Sequence, residues 1–405
     1  MNIKIDHLSG RCEGSLRITG SKSETNRLLL LQALFKGFQL ENISNSDDSK
    51  VMQEALESTS EVVDVHHAGT AMRFLTAYFS HLEGHEVVLS GSTRMQQRPI
   101  KILVDALRSI GASIVYEKAE GFPPIRIKGK KLLGGTISLP ADISSQYISA
   151  LLLLGTVLEK GLKLNLVGKI TSIPYIKMTL TLLNNLGITT GFKDQLFWVD
   201  STKKIKRINQ VVESDWSSAS YFFSIVALAK KAKISLTSFK KSSLQGDVDL
   251  LDIYEQLGVS SRFEEDTLHL KKENKPLPNS IQLDLTKTPD IAQTIAVSCY
   301  GLGVGCDLVG LHTLKIKETD RLEALHVELT KLGATIKVTN ESLHLSPDTN
   351  FIENCSISTY NDHRMAMAFA PLALKIPLQI EESSVVSKSY PDFWNDLRKL
   401  NFEIK

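Results

Sequence analysis

The chain has 405 residues, 42% of them apolar and 23% charged, the composition of a globular protein with two or three ordinary domains. That composition excludes disordered, collagen-like and coiled-coil classes. Lys+Arg number 47 and Asp+Glu 45, a net charge of +2, too balanced to announce a nucleic-acid or membrane-surface protein. The four cysteines, Cys12, Cys299, Cys306 and Cys355, show no CxxC spacing. They read as buried or indifferent thiols in a reducing compartment, with no zinc site and no disulfide framework.

From the N-terminus, Met1–His7 alternates apolar and polar residues and predicts a strand. It has neither the basic nor the apolar region of a signal peptide. The most apolar run, Ile148–Leu158, is shorter than the roughly 20 residues of a membrane span, so a cytoplasmic protein is expected.

Two interleaved series of helices follow. One opens on small, hydroxylated or charged residues and is apolar on nearly all sides. Its landmarks Lys22, Gly69, Ser144, Asp215, Asp290 and Asp362 stand 47, 75, 71, 75 and 72 residues apart. Such helices are buried, and the short first interval predicts a unit that has lost a piece. The other series is amphipathic and ends in a Leu-Gly or Ile-Gly phrase at Gly111, Gly187, Gly258 and Gly333, spaced by 76, 71 and 75 residues. LRKLNFEIK closes the series with Asn401 in the glycine's place. Gly or Asn past a helix predicts a left-handed C-cap, and the β-branched residues after it a strand. Six helix–strand units of about 70 residues are too long for the common solenoid repeats. They predict two α/β lobes of three units each, with a break near residue 212.

The positive end of a helix dipole attracts anions and disfavours cations. Ser, Thr and Asp at these helix starts are ordinary N-caps. Lys22, Arg27, Arg73 and Arg364 in or just past first turns are not, and their repetition predicts a small polyanionic ligand in a cleft between the lobes. Further cations stand at turn-like positions: Arg94 and Arg98, then Lys315, Lys317 and Arg321, then Lys388. Glu318 and Asp320 suit the start of a helix that carries Arg321. Asp290 after Pro289 reads as an N-cap, or as a base among cations that takes a proton from a substrate hydroxyl.

These residues fall in strings that resemble one family in order and over nearly the whole chain. The strings are GSKSETNR (20–27), AGTAMRFLTA (68–77), RMQQRPI (94–100), SSQYISALLL (144–153), SIPYIKMTL (172–180), DWSSASYFF (215–223), PDIAQT (289–294), KETDRL (317–322), NDHRMAMAF (361–369) and KSYPDF (388–393). The chain resembles the 5-enolpyruvylshikimate-3-phosphate synthases, the enolpyruvyl transferases of the shikimate pathway and aromatic amino acid biosynthesis. The resemblance implies a two-lobed inside-out α/β barrel with three βαβαββ units per lobe. Residues 1–19 with 213–405 would form one lobe and 20–212 the other. It implies transfer of the enolpyruvyl group of phosphoenolpyruvate to the 5-hydroxyl of shikimate 3-phosphate through a tetrahedral adduct, by a monomer with no metal or organic cofactor and no nucleic-acid or membrane partner. Asp290 would be the base, Glu318 the acid and Lys22 a helper in proton transfer. Shikimate 3-phosphate would meet Lys22, Ser23, Arg27, Ser144, Ser145, Gln146, Ser172, Asp290 and Lys317. Phosphoenolpyruvate would meet Lys22, Gly69, Arg98, Gln146, Arg321, Arg364 and Lys388.

The chain departs from the family pattern at three places. His66-His67 stands where Gly-Asn is usual, Thr313 where many bacterial members have Asn, and Ser214 where Gly precedes the Asp. Two other readings fit the sequence less well. The sister enzyme acting on UDP-N-acetylglucosamine has a Lys-Asn pair and a loop cysteine. Here Lys22 is followed by Ser23, and no cysteine lies between Cys12 and Cys299. A non-catalytic or RNA-binding protein on the same repeat, like the RNA 3′-phosphate cyclases, fits poorly with near-zero charge and with both Asp290 and Glu318 present.

Overall fold

The computed structural model describes residues 1–37, 39–141, 144–168, 170, 173–205 and 209–405. The chain forms two compact units, Met1–Thr19 with Glu213–Lys405, and Gly20–Val212. Among the described residues there are twelve α-helices. Six are the apolar series: α1 (Lys22–Leu34), α3 (Gly69–His81), α5 (Ser145–Gly155), α7 (Trp216–Leu228), α9 (Ala292–Leu302) and α11 (His363–Phe369). The amphipathic series is α2 (Asp47–Glu57), α4 (Lys101–Ser109), α6 (Ile173–Asn185), α8 (Leu250–Gln256), α10 (Arg321–Lys331) and α12 (Phe393–Lys399).

One strand plan recurs. In the unit Gly20–Val212, strand Val62–Asp64 leads through α3 to Glu86–Ser90, which pairs with it in parallel. A parallel pair needs such a crossover. After α4, Ser113–Tyr116 and Ile125–Lys128 complete a four-stranded sheet by antiparallel pairing. Gly135–Pro140 and Leu162–Val167 around α5, followed by Thr190–Lys193 and Leu196–Val199, repeat the plan. Among the described residues the remaining sheet has two strands, Gln39–Glu41 beside Asn209–Val211, in parallel. No closing antiparallel strands pair with it among the described residues, which agrees with the short first interval.

The other unit holds three four-stranded sheets. Arg11–Arg17 pairs in parallel with Lys231–Thr237, and Ser280–Asp284 with Gly305–Val309. Ser356–Ile357 and Leu378–Ile380 form the third parallel pair. Its antiparallel places are taken by Ile3–Asp6 and the C-terminal Glu403–Ile404, with Ile5 opposite both Leu378 and Ile404. The N-terminal strand therefore completes the last sheet, and the two chain ends lie side by side.

Strands alternate buried and exposed residues, as in Leu162–Val167, because one face of each sheet packs on the helices. In α7 every residue but Ser217 is buried, which explains why its sequence is apolar on all sides. All five predicted caps take left-handed backbone: Gly111 at φ 106°, Gly187 at 82°, Gly258 at 82°, Gly333 at 99° and Asn401 at 68°. Asn tolerates this conformation where most residues do not. Cys12, Cys299 and Cys306 are buried, and Cys355 is partly so. No helix is long and apolar enough to cross a membrane, among the described residues.

Candidate functional site

Each unit carries its own cluster of the predicted residues. In the unit Gly20–Val212, Ser21 caps α1 by accepting from the Glu24 N–H. Lys22 at the first position lies 3.6 Å from Asp48 of α2. Arg27, one and a half turns on, is buried. Its Nε donates to Thr179 Oγ1 at 2.8 Å, and Nη1 to the Ser23 carbonyl at 2.7 Å. Its Nη2 donates to Ser149 Oγ at 2.9 Å and to the Tyr175 carbonyl at 3.3 Å. The guanidinium also lies over the Phe74 ring, a favourable cation–π contact.

Gly69 opens α3 against the guanidinium of Arg98. A Cβ on Gly69 would stand 2.6 Å from Arg98 Nη1, so only glycine lets Arg98 lie this close to the helix start. Arg73, buried, donates to the Gly69 carbonyl at 3.1 Å and to the Pro99 carbonyl at 3.2 Å. Ser144 caps α5 by accepting from the Gln146 N–H, Ser145 is its first residue, and Gln146 Nε2 reaches Thr70 Oγ1 at 3.1 Å. Among the described residues, no carboxylate pairs with Arg27, Arg73 or Arg98 within 4 Å. Burial pushes Arg27 down to about 10. Burial, and then repulsion by Arg98, does the same to Arg73. Both stay protonated at neutral pH. Arginines with no carboxylate in ion-pair contact among the described residues suit an anion.

His66 and His67 lie next to this cluster. His66 adopts φ 47°, backbone that a glycine enters without strain. Its N–H bonds to the Asp64 carboxylate at 2.8 Å, and His67 Nδ1 meets Ser92 Oγ at 3.0 Å. The substitution thus keeps a glycine-like turn and pins it with side chains. Ser172 lies outside the described residues.

In the unit Met1–Thr19 with Glu213–Lys405, Arg321 is the hub, 1% exposed. Its Nε donates to Asp362 at 2.7 Å, Nη1 to Asp290 at 3.0 Å and Nη2 to Glu318 at 2.8 Å. Burial alone would lower its pKa, but Asp362, Glu318 and Asp290 together raise it, so its charge is permanent. Lys317 Nζ lies 3.4 Å from Asp290 Oδ1. Arg364 Nη2 lies 3.5 Å from Asp290 Oδ2, and its Nη1 donates to the Asp290 carbonyl at 2.9 Å. Lys388 Nζ donates to the Asn361 carbonyl at 2.6 Å, just before the Asp362 cap of α11.

Two local expectations need correction. Asp290 does not cap a helix. It sits in the single 3-10 turn Pro289–Ile291 with no side-chain cap bond, and α9 starts at Ala292. Its carboxylate is therefore left to the three cations. Glu318 is not in the first turn of α10, whose cap is Asp320. The Glu318–Arg321 pair forms because the 317–320 turn folds back over the helix start. Sequence reasoning also passed over Asp362 as a mere cap, and it gave no role to Thr70, Ser217 or Asp247. For Asp362 the adjacent Arg364 was a signal. For the others there was none, since their partners lie 30 to 147 residues away.

A base candidate, an acid candidate and fixed cations thus share one network, and the other holds Arg27, Arg73 and Arg98, with no ion-paired carboxylate among the described residues. No group of three or more His, Cys, Asp or Glu could hold a metal ion, among the described residues.

Comparisons with known proteins point to one family. The family model of EPSP synthase (3-phosphoshikimate 1-carboxyvinyltransferase) matches residues 52–397. A 3-phosphoshikimate 1-carboxyvinyltransferase of Bacteroides fragilis strain YCH46 is 48% identical, over 97% of this chain and 96% of its own. That of Mannheimia haemolytica is 35% identical, over 96% and 97%. An EPSP synthase structure from Acinetobacter baumannii superposes with a TM-score of 0.82 at 20% identity, covering 100% of this chain and 99% of that one. The enolpyruvyl transferase NikO from Streptomyces tendae gives 0.75 at 15%, covering 100% and 98%. These last two likenesses show a shared fold. By its sequence, the chain belongs to the EPSP synthase (3-phosphoshikimate 1-carboxyvinyltransferase) family.

Proposed function

We propose that the chain transfers the enolpyruvyl group of phosphoenolpyruvate to the 5-hydroxyl of shikimate 3-phosphate and releases phosphate, with Asp290 as base and Glu318 as acid. The observation that carries this reading is the joint hold of Arg321 on both carboxylates, at 3.0 and 2.8 Å. Two acids on one rigid cation keep a constant separation, as proton removal and proton delivery at two atoms joined to the same carbon require.

Lys22, Ser23, Arg27, Ser144, Ser145, Gln146 and Ser172 are assigned to shikimate 3-phosphate, with Asp290 and Lys317. Lys22, Gly69, Arg98 and Gln146 are assigned to phosphoenolpyruvate, with Arg321, Arg364 and Lys388. Both substrates are polyanions. They compete with Asp290 for Lys317 and Arg364 and so release it to accept the 5-hydroxyl proton. Glu318 protonates the methylene carbon of the enolpyruvyl group, and the hydroxyl oxygen bonds to the adjacent carbon, giving a tetrahedral adduct. Return of a proton to Glu318 and loss of phosphate restore the double bond. Lys22 gives a proton to the departing phosphate, and the hydroxyl proton held by Asp290 passes through solvent to restore it. Arginines held in place before the substrate arrives need no reorganisation as charge develops. The same reading includes a monomer in the cytoplasm that binds no nucleic acid.

The test is a phosphate-release assay with the two substrates. Turnover supports the reading, and its failure with well-folded protein refutes it. Gel filtration at working concentration checks the monomer.

A further inference from the structure

Asp247 is a buried acid that the mechanism above does not use, 4% exposed in the turn Gly246–Asp249. The segment before it sets its position. Ser243 Oγ donates to Glu213 at 2.7 Å. The Gln245 side chain accepts the Trp216 N–H at 2.9 Å and donates to the Ser214 carbonyl at 2.9 Å. These bonds staple the segment to the start of α7 and press Asp247 against Ser217. The Ser217 hydroxyl bonds to Asp247 Oδ2. The same Oγ accepts from Nη2 of Arg364 at 3.3 Å. That Nη2 lies 3.5 Å from Asp290 Oδ2. A continuous line therefore runs from Asp247 through Ser217 and Arg364 to the proposed base.

The charges that face Asp247 come from three further elements. They are Asp290 of the turn before α9, Asp215 at the cap of α7, and Arg364 of α11. Asp249 of its own turn is drawn instead to Lys287. Burial first, then Asp290, push the Asp247 carboxyl up to about 7, against the pull of Arg364 and the Ser217 bond. In the neutral form its O–H donates to Ser217 Oγ. In the ionised form it gives that proton to solvent and accepts the Ser217 O–H instead. Arg364 donates to Ser217 in both.

We propose that Asp247 is a positioning residue that decides how much of the Arg364 charge is available to phosphoenolpyruvate. Neutral, it leaves the guanidinium to Asp290 and the incoming anion. Ionised, it draws Arg364 toward Ser217 and away from the substrate. The inference rests on the reading of the reaction given above.

The experiment measures kcat and KM for phosphoenolpyruvate from pH 6 to 8 at saturating shikimate 3-phosphate, for the full chain and for Asp247→Asn and Ser217→Ala. Where only the neutral form binds well, KM of the unaltered protein rises up to about tenfold between pH 6 and pH 8, one decade per pH unit above the titration point. Other titrating groups, including those of the substrate, act alike in all three proteins, so the ratio to Asp247→Asn isolates this carboxyl. That ratio should climb with pH while the kcat ratio stays nearly level. A ratio independent of pH means a merely structural residue and overturns the proposal. Ser217→Ala cuts the line and leaves the acid, so a full pH slope in that variant also overturns it. Infrared spectra of the ligand-free protein supply a readout apart from turnover. A protonated-carboxyl band that is lost near neutral pH and absent from Asp247→Asn supports the inference, and a carboxyl already ionised at pH 6 overturns it. Absence of turnover by the unaltered protein would refute the reaction instead. The infrared band and calorimetric phosphoenolpyruvate binding against pH would then still decide the role of Asp247.

Discussion

Replacing Asp362 by Ala tests whether the Arg321 network is held by charge. Asp362 is fully buried and does two things. Its Oδ1 accepts the Arg364 N–H at 2.8 Å, capping α11. Its carboxylate meets Arg321 at 2.7 and 3.4 Å. Loss of the cap costs about 1 kcal/mol. Removal of one partner of a buried ion pair costs about 3–5 kcal/mol, and the lower end applies because Asp290 and Glu318 remain on the same guanidinium. The sum is about 4 kcal/mol. In a unit of roughly 200 residues this lowers the melting temperature by about 8–16 °C. Asp362→Asn keeps an oxygen for the cap and for Arg321 but removes the charge, so its shift should be about half that of Asp362→Ala. Scanning calorimetry measures both, and fluorescence assigns the transition, since Trp216 and Trp394 belong to this unit and Trp198 to the other. A shift under about 3 °C for Asp362→Ala, or equal shifts for the two variants, would refute the reasoning.

Asp290→Asn and Glu318→Gln should each lower kcat by about 10²–10⁴-fold, with far smaller changes in substrate affinity by calorimetry. Unchanged turnover in either removes its proposed role. In Gly69→Ala the new Cβ meets Arg98 at 2.6 Å. Displacing that guanidinium should raise KM for phosphoenolpyruvate about tenfold, equivalent to about 1.4 kcal/mol, with kcat less affected. An unaltered KM would mean that Arg98 does not touch the substrate. Arg27→Lys replaces a fork that makes four hydrogen bonds by a point charge. It should lose about 2 kcal/mol of stability, read as a lower urea midpoint, and a midpoint equal to that of the unaltered protein contradicts it. The raised Asp247 carboxyl has a consequence for stability. The unfolded chain releases this proton near pH 4, the folded one near pH 7. Stability therefore falls as pH rises through that window, by up to about 4 kcal/mol, and is level above it. Asp247→Asn should abolish the fall, and superimposable pH–stability curves would exclude it.

The six-unit organisation, the buried helix series and the left-handed caps were legible in the sequence, because they rest on local rules repeated along the chain. Apolar periodicity marks burial wherever it occurs, and a Gly or Asn past a helix meets the same steric demand at Gly111, Gly187, Gly258, Gly333 and Asn401. The cations at helix starts were legible too, since local electrostatics disfavours them and only a ligand or distant partners justify their repetition. The family strings then named roles for most of the polar residues. Tertiary structure decided what no local rule addresses. It brought Ile3–Asp6 against strands nearly 400 residues away. It left Asp290 among three cations when spacing allowed an ordinary cap, and it folded Glu318 back onto Arg321 from outside the helix. It also stapled Asp247 to Ser217 through Gln245. Each depends on which buried groups must share the same volume, and that is set by packing of segments far apart in the chain rather than by the character of any one of them.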